Sequence, residues 1–357
     1  ENKYVMESFY QEANIKIMKV WFGGYTSHDS KGIYTANVEN DGTDIKLTNI
    51  KNTVEVERPT YFQLVGDLLF TIIQKGDQSG IATYRIKNGE AEKLDTYFHK
   101  GAAPCYISVD PQKHLVFTAN YHLATINVFS YDKNGKLTFI TNDKHEGHGP
   151  RVEQDQAHPH FFDETPAGNL VSCDLGIDAV DFYKLDDNRL KHLARYQMEK
   201  GFGTRHLTFS PDGKTMYIVG ELSSQVNVAR LNENTWEFED IATYKTIPDD
   251  FTDHNGAAAI RISKDGKFIY ISNRGHDSIA VFKVLDDGKL ELAQRISVFG
   301  SFPRDSNWDK AEKYLVVANQ NTNNATLYRR NSETGNLTPI QKDISVPEAT
   351  RVLFEED

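Results

Sequence analysis

The side chains of this sequence best suited to chemistry are one histidine, one glutamate and three arginines: His160, Glu221, Arg205, Arg274 and Arg304. An imidazole can take up and return a proton near neutral pH. Guanidinium groups bind carboxylate or phosphate through paired N–H donors, and a carboxylate set among them can orient them. Gathered around one opening, such a set makes an anion site with a proton-transfer group. The five lie far apart in the chain, so only the elements that carry them can bring them together.

The stretch from Gly203 to Val228 shows how. Arg205 opens an alternating run from His206 to Phe209, which reaches a Ser-Pro-Asp-Gly turn at Ser210 to Gly213. A second run, Met216 to Val219, climbs back to Glu221, and a third follows at Gln225 to Val228. Strands joined by such a turn are antiparallel, so the start of the first and the end of the second lie at the same end of the sheet. Arg205 and Glu221 are therefore side by side.

This unit recurs. Related copies begin near Pro59, Pro104, His158, Gly256 and Pro303, most of them closed by an Asn-Gly or Asp-Gly turn. The repeat length is roughly 50 residues with about four strands each, the signature of propeller blades. The remainder comes from the two ends, KVWFGGYT and GIYTANV with ATRVLF. The expectation is all-β: a seven-bladed β-propeller of four-stranded antiparallel blades, its ring closed by pairing of the N- and C-terminal strands. Residues 1–17 read as an extension outside the fold and residues 18–357 as a single domain.

Aligned on their turns, the copies define two sets of positions at one face. The first strands open with Thr60, Cys105, His160, Arg205, Ala258 and Arg304; the second strands end with Asn120, Asp174, Glu221, Asn273 and Asn319, and Arg274 follows Asn273. Ordinary readings compete. Asn at a strand end commonly serves the backbone of a turn, and a His beside Pro is more often structural than catalytic. His206, Arg261 and Arg351 read as structural or unassigned. His158, His160 and Asp174 could approach a metal, but no further ligand is evident. Cys105 reads as a small buried residue rather than a nucleophile. A G-x-S-x-G elbow and a Gly-rich phosphate loop opening a helix are both missing.

Composition narrows the partners. The 357 residues carry a formal net charge of −11 and a pI near 5.6, which argues against nucleic acid or an anionic membrane as partner. Two cysteines make no disulfide framework and suit a reducing cytoplasm. No apolar run approaches the ~20 residues that cross a bilayer.

The motifs GGYT (23–26), HPHF (158–161), TRHLTFSPDGK (204–214), GELSSQVNV (from Gly220), NRGHDSIAVF (from Asn273) and VVANQNTNNATLY (from Val316) occur in a specific order. In this the chain resembles the seven-bladed propeller lactonases, the family of propeller-type 6-phosphogluconolactonase and the fungal carboxy-muconate cyclases. Gly-Thr-Arg-His stands where Gly-Pro-Arg-His is usual, and Pro159 where Ala is commoner. The resemblance implies catalytic roles for His160, Arg205, Glu221 and Arg274, with His158, Asp174, Arg304 and Asn273 binding substrate. It implies a small anionic sugar lactone as substrate, 6-phosphogluconolactone foremost, and needs no metal or other cofactor. His160 would activate water with a pKa near neutrality, and Arg205 and Arg274 would bind the anion and stabilise the oxyanion. Glu221 would orient Arg205 or His160. A cycloisomerase acting on an unsaturated dicarboxylate, or a propeller that only binds at this face, would use the same residues.

Overall fold

The computed structural model describes residues 16–356. They form seven sheets of four antiparallel strands, and each sheet is one blade. Blade one takes three strands from one end of the chain (Ile17–Gly24, Gly32–Asn40 and Ile45–Glu55) and its innermost strand, Ala349–Glu356, from the other. The closing register runs from Ile17 opposite Glu356 to Gly24 opposite Ala349. Closure by ordinary strand pairing leaves no open edge at the seam. Ile17 is already within this pairing, so the folded region begins before the expected start at 18. Residues 1–15, the rest of the expected extension, lie outside the described residues.

Blade five shows the common plan: Thr204–Phe209, Thr215–Gly220, Gln225–Asn232 and Glu237–Lys245, in that order from the axis outward. Its second strand is almost wholly buried, whereas its fourth has no fully buried residue. The turn between the first two strands forms because Asp212 accepts from the Ser210 hydroxyl and the Lys214 N–H, while Gly213 takes φ +72°. Blades pack face to face through apolar side chains. Phe162 of blade four is fully buried against Phe117 of blade three, with ring centroids 5.6 Å apart in an edge-on contact. Truncating such a ring costs about 3–5 kcal/mol.

Along the axis, the residues after the first-strand openings fill the channel. Tyr61, Tyr106, Phe161 and His206 pack ring against ring, with successive centroids 4.8, 4.7 and 5.4 Å apart. Arg351 lies over the Tyr61 ring at 3.9 Å and pairs with Asp305 at 3.3 Å. Asp305 also pairs with Arg261 at 3.0 Å. His206, Arg261 and Arg351 thus belong to a plug that floors the upper half of the channel.

Candidate active site

In the innermost strands, pairing slips by one residue at a recurring place. Pro159 pairs with Asp174 and Phe161 with Cys173, which leaves His160 unopposed. Thr204 and His206 pair with Gly220 and Val219 and leave out Arg205; Pro303 and Asp305 pair with Asn319 and Ala318 and leave out Arg304. Blade one has the same slip, with Thr350 as the odd residue. A β-bulge adds an unpaired residue and re-aims its side chain. Here the bulges present His160 and Arg304 to a cavity of about 640 Å³ at the mouth of the channel, which Thr60 and Cys105 also line and Arg205 does not. Thr350 escaped the sequence reading because its strand arrives from the opposite end of the chain.

The second ring has a different register from the one expected. Asp174, Asn273 and Asn319 pair with the residue before each bulge, and in blade five that partner is Gly220, not Glu221. Side chains alternate along a strand, so a shift of one residue turns a group from the blade interior to the cavity. Asp174 and Asn273 consequently point away from the cavity, and the expectation that they bind substrate is corrected. Asp174 accepts from the N–H groups of His158, Gly176 and Ile177 and meets His145 Nδ1 at 2.7 Å. Asn273 accepts from the Thr246 hydroxyl and donates to the Thr246 carbonyl. His158 is also withdrawn. Its Nδ1 meets the Tyr121 carbonyl at 2.6 Å, its Nε2 meets Asp155 at 2.8 Å, and its ring stacks on Tyr121 at 4.0 Å. One step further along, Tyr25, Gln74, Tyr121, Glu221, Arg274 and Gln320 all line the cavity.

Glu221 is the hub. Its Oε1 accepts from Arg205 Nε at 3.0 Å and from Arg274 Nη2 at 2.8 Å. Burial disfavours the carboxylate, but Arg274 and Arg205 outweigh it and hold the Glu221 pKa below the usual range. Burial and the neighbouring Arg274 charge push the Arg205 guanidinium down to about 9, so it stays charged at neutral pH. The trio needs Gly256 beside it: a Cβ there would stand 3.0 Å from Arg274 Nη2 and 3.5 Å from Glu221 Cγ. Arg274 lies over the Phe302 ring, 5.1 Å from its centroid. Arg304 Nη1 donates to the Tyr25 hydroxyl at 2.7 Å, and that cation is the main cause of a lowered Tyr25 pKa.

His160 sits under this positive field. Burial, then Arg205, Arg304 and Arg274, push its pKa well below the ordinary histidine value, away from the near-neutral value expected. The imidazole is therefore neutral. Its Nδ1 has no partner; neither do Arg205 Nη1 and His206 Nε2, although all three atoms are buried. The His160 and His206 rings are 5.1 Å apart. Burial raises the Cys105 thiol to about 12, which keeps it protonated and a poor nucleophile. Among the described residues no three His, Cys, Asp or Glu side chains are grouped to hold a metal ion. His158 and Asp174 spend their polar atoms on the fold.

The sequence profile described as "Lactonase, 7-bladed beta-propeller" matches residues 19–354. The chain belongs to this lactonase family. It is 37% identical to a protein of Bacillus subtilis (strain 168) named 6-phosphogluconolactonase, over 341 residues covering 94% of this chain and 97% of that one. A crystal structure from Lactobacillus plantarum superposes with a TM-score of 0.92 at 43% identity, covering 95% of this chain and all of the other. The periplasmic gluconolactonase of Pseudomonas aeruginosa superposes with a TM-score of 0.86 at 26% identity, covering 95% and 99%. The ordered motifs read from the sequence thus identified the lactonase family correctly. Their placement is now plain: HPHF carries the His160 bulge, TRH carries Arg205 and the plug residue His206, and GGYT carries Tyr25. Sequence reasoning missed Tyr25, Tyr121 and Phe302 as cavity residues. Tyr25 had a signal in its GGYT motif, and Tyr121 stands in the same relation to Asn120 as Arg274 to Asn273. Among the described residues, no helix is long and apolar enough to cross a membrane.

Proposed function

We propose that this lactonase hydrolyses a sugar-acid δ-lactone bearing phosphate, 6-phospho-D-glucono-1,5-lactone, in the cytoplasmic pentose phosphate pathway. The observation that carries the reading is the convergence of Arg205, Arg274 and Arg304 around a neutral His160 whose Nδ1 is unpartnered. This excess of cations over carboxylate suits an anionic substrate in a chain whose overall charge is −11. The name of the Bacillus subtilis relative supports the phosphorylated lactone.

His160 accepts a proton from a water molecule as the water oxygen bonds to the lactone carbonyl carbon. The negative charge that develops on the carbonyl oxygen falls to the Arg274 donors in the cavity, with the buried Arg205 adding its field from behind Glu221. Collapse of the tetrahedral intermediate breaks the ring C–O bond, and the imidazolium returns its proton to the departing alkoxide. A bound anion offsets the arginine field and raises the basicity of His160 toward the neutral range. Glu221 is a positioning residue, fixing both guanidinium groups. The test is acid release from 6-phosphogluconolactone with spontaneous opening subtracted. His160→Gln should lose activity by 10²-fold or more while its circular dichroism is unchanged. Undiminished turnover in a folded His160→Gln protein would overturn the assignment.

A further inference from the structure

The position two residues before the first-strand opening (Thr60, Arg205, Arg304 and Thr350) is left-handed in four blades: Arg58 (φ 51°), Gly203 (φ 72°), Phe302 (φ 70°) and Glu348 (φ 50°). Glycine takes that conformation without strain, and Gly203 shows that the fold requires no side chain there. Two of the three strained side chains have evident work. Phe302 lies against the Arg274 guanidinium, and the Glu348 carboxylate accepts from the N–H groups of Ser27, His28 and Ser30. Arg58 has no such partner. Its backbone N–H donates to the Thr26 hydroxyl, but among the described residues no carboxylate pairs with its guanidinium and no acceptor takes the guanidinium N–H groups. Asp77, on the same cavity wall, forms no ion pair with it. What the guanidinium touches is the face of Tyr25, 4.9 Å from the ring centroid, inside the cavity.

Arg304 meets the same phenol, 5.3 Å from the centroid. Arg205 and Arg274 are engaged by Glu221 in blades five and six, whereas Arg58 leads into blade two, across the axis. The cavity is therefore bipolar. One side holds His160, Glu221 and Arg274; the other holds a guanidinium with five unengaged N–H donors, stiffened by an aromatic platform. A free guanidinium of this kind is suited to forked recognition of a phosphate. In 6-phosphogluconolactone the phosphate is carried on the exocyclic C6 arm, separated from the carbonyl carbon by C5 and the ring oxygen, so it projects from the ring and calls for a cation other than those that meet the carbonyl; Arg58 supplies one in the same cavity.

We propose that Arg58 is the specificity residue of this site: with Arg304 across Tyr25 it captures the substrate phosphate and selects phosphorylated over neutral lactones. This rests on the lactonase reading above. The test compares Arg58→Gln and Arg58→Gly with wild type on 6-phosphogluconolactone and on unphosphorylated glucono-1,5-lactone. Gly also relieves the left-handed strain, so loss of folding is not an issue for that variant. The expected result is a KM for the phosphorylated lactone raised about 10- to 100-fold, with kcat within about twofold and turnover of the neutral lactone unchanged. An unchanged KM for the phosphorylated substrate, or equal losses on both, would overturn the proposal. Should wild type turn over neither lactone, the lactonase reading fails while Arg58 is still tested by calorimetric titration of 6-phosphogluconate against gluconate. Selective weakening of 6-phosphogluconate in Arg58→Gln supports the assignment, and equal affinities in variant and wild type overturn it.

Discussion

Arg205 and Arg274 stand on neighbouring blades yet donate to one oxygen, Oε1 of Glu221, at 3.0 and 2.8 Å. Two guanidinium groups compensated by one carboxylate make a junction between blades five and six and leave uncancelled positive charge beside the cavity. The same contact thus joins two blades and, in the function proposed above, prepares the site for an anion.

Removing the Glu221 charge exposes that dual role. Breaking a buried ion pair costs about 3–5 kcal/mol. Glu221→Gln belongs at the lower end, because 18% of its side chain is exposed. The variant should melt well below wild type, and added 6-phosphogluconate should recover more stability in the variant than in wild type, since the anion replaces the missing charge. Thermal denaturation with and without the ligand reads both effects. An unchanged melting temperature would remove Glu221 from its structural role.

Two buried histidines set a pH dependence. Burial, then Arg205 and His160, push His206 well below the ordinary value, as burial and the arginines do for His160. In the unfolded chain both titrate near pH ~6.5. The folded state therefore binds fewer protons than the unfolded state over the window below that value. Stability is full above it and falls as pH drops, by up to about 1.4 kcal/mol per pH unit for each histidine. Urea midpoints between pH 7.5 and 5 should decline accordingly, and His206→Gln should flatten the slope. Turnover adds a second signature. The acid limb of kcat, set by the ligand-bound site, should lie at higher pH than that of kcat/KM, set by the free enzyme. Coincident limbs would mean that bound substrate does not shift His160.

Asp174 is expected to behave as scaffold. Its Oδ1 accepts three backbone N–H groups and its Oδ2 meets buried His145, whose pKa is raised because Asp174 outweighs the effect of burial. Asp174→Ala leaves those donors unpaired and should cost about 3–5 kcal/mol, with KM unchanged at temperatures where the variant is folded. A raised KM at undiminished stability would return Asp174 to the binding residues.

The blade plan was legible because each Ser-Pro-Asp-Gly or Asn-Gly turn announces a hairpin, and the repeat multiplies that signal. His160, Arg205 and Arg304 were legible as exceptions in an otherwise neutral ring. Their bulges were not, since nothing local marks an unpaired residue. The second ring was read one residue out of step: Glu221 looked like the counterpart of Asn273, when Gly220 is. With a side-chain period of two, that slip assigned Asp174 and Asn273 to the cavity. Arg58 was invisible for another reason. It lies outside any strand, and its direction comes from a left-handed backbone that the sequence around it does not advertise.

The seam in blade one bears on how the protein is made. Tyr25, which carries Arg304 and Arg58, is seated by a loop whose Ser27 N–H is held by Glu348, 321 residues later in the chain. At ordinary translation rates the two are synthesised roughly 15–65 s apart. A nascent chain can stack its middle blades during that interval, but the anion site proposed above is then still incomplete. Ligand affinity is thus a late-arriving property that reports the finished circle, and a prematurely terminated product should be silent toward substrate however many blades it has folded.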